Sequence, residues 1–357
     1  MTVRIRKQDV DLRDKVSELD RPIGIGGKSV LSSETIQDAQ NVLGVGRKNL
    51  FINGGFDIWQ RGTSQTGNGY SSADRWAVDG SGATLTFSRQ EFSLGDNPTP
   101  ANRFYARYAV TTGNDRSRFY QRVENGYNLY GRTVTLSFWA RQTGNRYMEI
   151  DYISNLNGSL QYNYKAAVIN IGTDWQRYSV SFPIKDRTGT RGSDDWIEFR
   201  FGQGGETSTA GYTWDITAAQ LELGEVATPF ECRSIGEELS LCLRYYKRIW
   251  SIGGASRVGI SGNVSSTNAY VTIPHSTPMR ETPSVNYNNL GTLFFETYTA
   301  GQQVITGLSV NTRTEFGDGE NENTTLLCTV ANSPTDGGNL LLRGTNDVDW
   351  IDFSCEL

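Results

Sequence analysis

Short stretches of alternating apolar and polar residues are the feature that most constrains the fold of this chain. In TVTLSFWAR (133–141), one face would carry four apolar side chains, Val134, Leu136, Phe138 and Ala140. Successive side chains of a strand point to opposite faces, so this period of two predicts a half-buried β-strand. The alternation recurs at 102–110, 176–184 and 196–201. Many short strands without intervening helices predict a β-sandwich or jelly roll.

Composition supports a mainly β protein and disfavours two kinds of partner. Aromatic residues make up 11% of the chain and 39 residues are glycine, as in proteins where tight turns join strands around aromatic cores. The formal net charge is -5, and we expect no nucleic-acid partner because such partners select basic surfaces. No apolar run approaches the roughly 18 residues of a membrane span, so we expect no membrane insertion. The basic start lacks a following apolar stretch, which predicts synthesis in the cytosol.

The residue pattern divides the chain into four predicted regions. Residues 1–48 are charge-rich and lack Trp, Tyr and Phe, so they should dock onto another surface or self-associate. Residues 49–231 are predicted to form the sandwich. A capping box over 234–237 and apolar residues at helical spacing predict a linker helix at 232–250. Strand patterns return in 251–357 and predict a second, smaller C-terminal β-sandwich.

Catalytic patterns are weak in this sequence. The chain has one histidine, His275, and no G-x-S-x-G motif, so a histidine-based triad is not expected. Glu149 with Asp151, or the pair Asp194 and Asp195, would suit glycoside hydrolysis only if they faced each other across a cleft. Neighbouring positions in the sequence do not indicate such a cleft. We therefore predict that the chain is not an enzyme.

Five stretches resemble parts of bacteriophage proteins or of carbohydrate-binding-module-like jelly rolls. NLFINGGFDIWQRGTS (49–64) and SADRWAVDG (72–80) resemble the opening of a domain common in phage tail and fibre proteins. GRTVTLSFWARQTG (131–144) and GTDWQRYSVSFPI (172–184) resemble strand signatures of carbohydrate-binding-module-like jelly rolls. Residues 218–248 resemble the exit from that domain into a linker helix. The resemblance covers residues 49–357 and implies the jelly-roll form of the sandwich.

The resemblance also implies a function and partners. It implies a homotrimeric tail-fibre or adhesin subunit of the virion, assembled in the host cytoplasm and recognising host-surface polysaccharide. Residues 1–48 would attach it to other phage tail, baseplate or capsid proteins. The predicted helix, with Tyr245 and Tyr246, would contribute to the trimer interface. One alternative is a head or tail decoration or connector protein without a ligand. Another is a polysaccharide depolymerase, although the long β-helix repeats of such enzymes are absent.

A sugar site combines an aromatic ring, which stacks on the C–H face of the sugar, with planar polar side chains that bond its hydroxyls. Alternation places several aromatic residues on the polar faces of their strands. The predicted glycan-binding residues are Trp139, Arg141, Trp196, Glu198, Arg200 and Tyr105. The alternative is that these rings pack against a neighbouring subunit or the N-terminal segment, because Trp and Tyr are enriched at interfaces.

No cofactor is required for this function, but the resemblance adds one metal hypothesis. Many carbohydrate-binding jelly rolls carry a structural calcium near their first and last strands. The matching oxygen donors here are Asn53, Asp57 and Asp215. Calcium takes six to eight oxygen ligands, including backbone carbonyls that a sequence does not reveal.

Overall fold

The computed structural model describes most of the chain from Lys48 onward, and the predicted attachment segment lies outside the described residues except for Lys48. The described ranges are 48–80, 82–99, 102–113, 117–144, 146–203, 211–251, 254–264, 267–297, 301–310, 322–330, 338–344 and 349–357. In this part of the chain the structure is mainly β, as predicted. Its helix is too short to resemble a membrane-spanning segment.

The strands are numbered in chain order, β1 to β20, and the α-helix is α1. Before the helix the strands are β1 (Ser64–Gln65), β2 (Ala77–Gly80), β3 (Ala83–Glu91), β4 (Phe104–Gly113), β5 (Ser117–Glu124), β6 (Thr133–Thr143), β7 (Tyr147–Leu156), β8 (Ser159–Asn170), β9 (Gln176–Pro183), β10 (Trp196–Gly202) and β11 (Tyr212–Leu223). Then follow α1 (Ile235–Leu243), β12 (Tyr246–Trp250), β13 (Gly254–Val264), β14 (Asn268–Pro274), β15 (Ser284–Tyr287), β16 (Leu293–Thr297), β17 (Gly301–Val310), β18 (Asn323–Val330), β19 (Gly338–Gly344) and β20 (Trp350–Ser354). Short 3-10 turns span Gly126–Leu129 and Leu290–Thr292.

Strands β1 to β11 form two antiparallel sheets. One has six strands in the order β1-β3-β4-β11-β6-β9, and the other has five in the order β2-β5-β10-β7-β8. Leu136 and Phe138 of β6 share a buried core with Phe199 and Phe201 of β10. The rings of Phe138 and Phe201 meet edge-to-face with centroids 5.8 Å apart, a favoured aromatic geometry. The predicted jelly-roll β-sandwich is thus confirmed, with the predicted face of β6 turned inward.

The helix begins as predicted but is shorter than 232–250. The Ser234 hydroxyl accepts a hydrogen bond from the Glu237 N–H, as a capping residue does. The helix ends at Leu243, and Tyr246–Trp250 is instead strand β12, paired with β20. The prediction was wrong there because YKRIW favours a strand once a partner strand is available. The Tyr246 hydroxyl donates to Asp352 of β20 at 2.8 Å.

The described residues after the helix are mainly β-strand, as expected, but these strands do not form the predicted sandwich. Strands β13-β14-β18-β17-β16-β19 close into a barrel, and β12-β20-β15 form a separate three-stranded sheet. Val271 and Leu326 of the barrel share a buried cluster with Ile351 and Phe353 of the sheet. Closure pairs every barrel strand on both sides, which removes the exposed edges that an open sheet would have.

The last described residues pack on the outer face of the five-stranded sheet. Leu357 is buried with Ile153 of β7, Trp196 of β10 and Tyr245 after the helix. Tyr245 and Tyr246 are therefore buried within their own chain. The prediction that these two tyrosines contribute to a trimer interface is wrong.

A buried ion cluster, made of Arg61, Arg75 and Glu356, holds this C-terminal segment in place. The Glu356 carboxylate accepts hydrogen bonds from Arg61 at 2.8 Å and from Arg75. All three side chains are almost fully buried. The guanidinium carbons of Arg75 and Arg61 each lie 3.5 Å from a ring centroid, of Tyr245 and Tyr246 respectively. Cation–π contacts thus add to the ion pairs.

Candidate functional site

The outer face of the six-stranded sheet carries a row of charged side chains across its three central strands. Asp215 of β11 lies directly opposite Arg107 of β4 on one side and Arg141 of β6 on the other. Side chains of directly opposite residues share one face of an antiparallel sheet. In the adjacent row, Trp139 of β6 lies opposite Thr217 of β11. The register thus brings together residues that are far apart in the sequence.

Asp215 fixes the two arginines. Arg107 donates two hydrogen bonds to its carboxylate, at 2.7 and 2.9 Å, and Arg141 donates one at 3.0 Å. Arg141 also pairs with Asp96, in the loop between β3 and β4, at 3.1 Å. The Asp215 side chain is buried beneath the arginines, which are partly exposed. Hydrogen bonding to Asp215 raises the pKa of Arg107.

Beside this row lies an aromatic cluster of Phe92, Tyr105 and Trp175. Phe92 follows β3, Tyr105 belongs to β4, and Trp175 immediately precedes β9. Their ring centroids are 4.8 to 5.4 Å apart. The Arg141 guanidinium carbon lies 4.9 Å from the Trp175 ring centroid. The indole N–H of Trp175 has no hydrogen-bond partner in the described part of the chain.

Two adjoining depressions lie over these side chains, and we call them together the sheet groove. The first, about 380 Å³, is lined by Arg107, Arg141, Gln142, Thr143, Thr173, Thr213 and Asp215. The second, about 390 Å³, is lined by Gly95, Asp96, Asn97, Pro98, Trp139, Arg141, Asp174 and Trp175. Arg141 borders both depressions. Their sizes fall within the range of small-molecule sites, roughly 300–1,000 Å³.

Three of the six predicted glycan-binding residues meet at this face. Trp139 and Arg141 line the groove, while Tyr105 is buried and supports Trp175 from below. Sequence reasoning missed Trp175 as a site residue. A signal was present, because extending the alternation of β9 back by one residue places Trp175 on the polar face with Arg177 and Ser179.

The other three predicted residues lie on the opposite side of the sandwich and are covered. Trp196 was expected to be exposed but is only 7% exposed, because the C-terminal residues pack on it. Glu198 is fully buried and pairs with Arg122 at 2.7 Å and with Arg200. Trp196 and Glu198 are therefore not exposed as predicted, whereas Arg200 is partly exposed but paired with Glu198. Trp196 packs against C-terminal residues of its own chain, whereas the alternative interpretation placed a neighbouring subunit or the N-terminal segment there.

Of the two carboxylate pairs considered for hydrolysis, Glu149 and Asp151 each form an ion pair with a basic side chain. Glu149 pairs with Lys165 at 3.0 Å, and Asp151 pairs with Arg118 at 2.7 Å. Both carboxylates are almost fully buried on the five-stranded sheet. These contacts hold β5, β7 and β8 together.

The three proposed calcium donors each have protein partners. The Asn53 side-chain amide donates a hydrogen bond to the Ile58 carbonyl at 2.8 Å and accepts one from the Ile58 N–H at 3.0 Å. Asp215 pairs with two arginines. Asp57 accepts hydrogen bonds from the backbone of Arg103 and Phe104, and burial raises its pKa to about 6. Within the described ranges, no group of three His, Cys, Asp or Glu side chains is placed to hold a metal ion, and a calcium site built from carbonyl and amide oxygens stays a prediction.

The raised pKa of Asp57 predicts a pH-dependent contribution to stability. Its ordinary value is 3.8 and its folded value is about 6, so the stabilisation is fully present below the lower value and is lost as pH rises through the upper one. An Asp57→Asn variant stays neutral throughout. Its melting temperature relative to the wild type should therefore rise between pH 4 and pH 6. Melting curves that stay parallel over this range would contradict the assignment.

Comparisons with known proteins show partial similarities to solved structures. No protein-family model and no curated protein matches this chain. A structure described as "CBM4 structure and function" is 18% identical, covering 48% of this chain and 98% of that one, with a TM-score of 0.32. The enzymatically active domain of bacteriophage CBA120 tailspike protein 4 is 17% identical, covering 49% of this chain and 21% of that one, with a TM-score of 0.31. TmCBM61 in complex with β-1,4-galactotriose is 14% identical, covering 50% of this chain and 100% of that one, with a TM-score of 0.30.

Similarities at these TM-scores carry no argument about function.

Proposed function

We propose that this chain binds a glycan in the sheet groove. The observation that carries the proposal is the position of two partly exposed tryptophans, Trp139 and Trp175, in one depression with Arg141 and Asp96. Indole rings offer a large apolar face to the C–H groups of a sugar. Carboxylate and guanidinium groups offer several hydrogen bonds to its hydroxyls.

The groove is pre-organised for such a ligand. Asp215 holds Arg107 and Arg141 through three hydrogen bonds, and Tyr105 and Phe92 pack against Trp175. Side chains that are already ordered lose less conformational entropy when a ligand binds. The groove is also open along the surface across two depressions, which suits an extended chain of sugars.

The charges of the groove predict a preference for neutral glycans. Asp96, Asp174 and Asp215 supply three carboxylates against two arginines, and Asp215 and Asp96 already pair with those arginines. A uronic acid would bring another negative charge towards Asp96 and Asp174, and like charges across an interface reduce affinity. Calorimetric titration should give a neutral polysaccharide about tenfold or greater advantage over its carboxylated derivative. Tighter binding of the acidic polymer would contradict this.

We further propose that the glycan belongs to a host cell surface and that the chain is a fibre or adhesin subunit of a phage virion. The sequence resemblance over 49–64 and 218–248 supports this proposal, with residues 1–48 as the attachment segment. The groove's preference for neutral glycans and its two partly exposed tryptophans suit recognition of a surface polysaccharide. A decoration or connector protein would need no such groove.

A truncation tests the attachment segment. Deleting residues 1–47 keeps Lys48, whose backbone N–H donates to Glu231 at 3.0 Å. The truncated chain should fold and bind glycan with unchanged affinity, because the groove lies entirely within later residues, but it should not join virions. Incorporation is measured by mass spectrometry of purified particles. Normal incorporation of the truncated chain would show that attachment depends on other residues.

A further inference from the structure

The sandwich has four sheet edges, and three of them are protected in ways that natural proteins use. Strand β1 has two residues and β2 has four. Strand β9 ends in Pro183 and carries Arg177. Short strands, proline and charge each discourage pairing with another chain. Strand β8 is different, since it has twelve residues and a strand partner on one side only within the described sheets.

The first half of β8 presents an uncharged apolar row. Leu160, Tyr162 and Tyr164 are 46%, 49% and 60% exposed. The two tyrosine rings lie nearly parallel, with centroids 6.0 Å apart. Residues 159–164 contain neither a charged side chain nor proline. A register shift with a left-handed residue at Lys165 ends this run.

Amide side chains on the same segment lack partners. Asn163 is 6% exposed, and both its amide oxygen and its amide nitrogen have no hydrogen-bond partner in the described part of the chain. The amide oxygen of Gln161 also has none. Buried polar groups are nearly always hydrogen-bonded, because leaving one unpaired costs about 1–3 kcal/mol. These amide atoms are themselves enclosed by the described chain, so it is the free edge of β8 and its exposed apolar row that point to an outside partner.

We propose that β8 pairs antiparallel with β8 of a second copy of this chain, across a two-fold axis at Tyr162. In this register Gln161 lies opposite Asn163 of the second copy, and Leu160 lies opposite Tyr164 of the second copy. Directly opposite residues have Cβ atoms about 4.5–5.5 Å apart, so the side chains of Leu160 and Tyr164 would pack against each other across the new strand pair. The pairing therefore gives the free edge of β8 a strand partner and covers the exposed apolar row.

A second copy fits this edge because the segment complements itself. A two-fold interface uses the same surface on both subunits, and an uncharged strand paired with itself opposes no like charges. The two five-stranded sheets would form one continuous sheet of ten strands, at the upper end of the usual range. The sheet groove lies on the other sheet and remains open in this dimer.

The oligomeric state decides between this dimer and the trimer that the resemblance implies. Light scattering of the full chain at micromolar concentration should give twice the chain mass of 39.6 kDa. A monomer or a trimer would overturn the proposal.

Paired charge variants test the register itself. Leu160→Lys with Tyr164→Lys places lysines opposite each other and should give a folded monomer. Leu160→Lys with Tyr164→Glu places opposite charges across the axis and should remain a dimer. The control is Val226→Lys, which adds a charge at another exposed apolar position and should not change the mass. Circular dichroism confirms folding of each variant. A dimeric double-lysine variant, or a monomeric lysine–glutamate variant, would refute the register.

Discussion

Trp139→Ala should lower the affinity for the bound glycan by about 1–3 kcal/mol, by analogy with the stacking of bases on aromatic side chains. Trp139 lines the same depression of the sheet groove as Trp175. It is partly exposed, so the fold should tolerate the change. Isothermal titration with a neutral polysaccharide that binds the wild type measures the loss. Trp175→Ala should act in the same direction.

A matched tryptophan separates stacking from a general effect of the substitution. Trp250 of β12 is 40% exposed. It belongs to the three-stranded sheet, whereas the groove lies on the six-stranded sheet. Trp250→Ala should leave glycan affinity unchanged. Equal losses for Trp139→Ala and Trp250→Ala would contradict the assignment of the groove.

Glu356→Ala should lower the free energy of unfolding by about 3–5 kcal/mol, the usual cost of removing one partner from a buried ion pair. The substitution leaves Arg61 and Arg75 buried without their shared carboxylate. It also loosens the C-terminal residues that cover Trp196. Urea unfolding followed by tryptophan fluorescence measures the change.

An exposed glutamate provides the control for this experiment. Glu225 lies in the turn after β11 and is exposed, so Glu225→Ala should change stability by less than about 0.5 kcal/mol. A similarly small effect of Glu356→Ala would show that the buried ion cluster does not hold the C-terminal segment.

The strands and their inward faces could be predicted from the sequence because alternation is a local property. In β6 the residues predicted to point inward, such as Leu136 and Phe138, are fully buried. The start of the helix could be predicted for the same reason, because the capping signal involves only Ser234 and Glu237. These features depend on residues a few positions apart, where the geometry of a strand or helix determines the direction of each side chain.

The site could be predicted only in part, because alternation does not say which outer face stays open. Trp139 and Trp196 have the same sequence signature, an aromatic residue on the polar face of a strand. Only long-range packing separates them, since Leu357 covers Trp196. The strand order that places Asp215 between two arginines is also non-local. The strand β12 could not be predicted either, because it depends on pairing with the distant strand β20, and the local spacing of its apolar residues suggested a helix.

Screening against a glycan array tests the central proposal most directly. The wild type and Trp250→Ala should bind the same set of neutral glycans, and Trp139→Ala should lose that signal while remaining folded. Binding that is retained by Trp139→Ala and Trp175→Ala, or a wild type that binds no glycan on the array or on host-cell polysaccharide, would contradict a glycan site in the sheet groove.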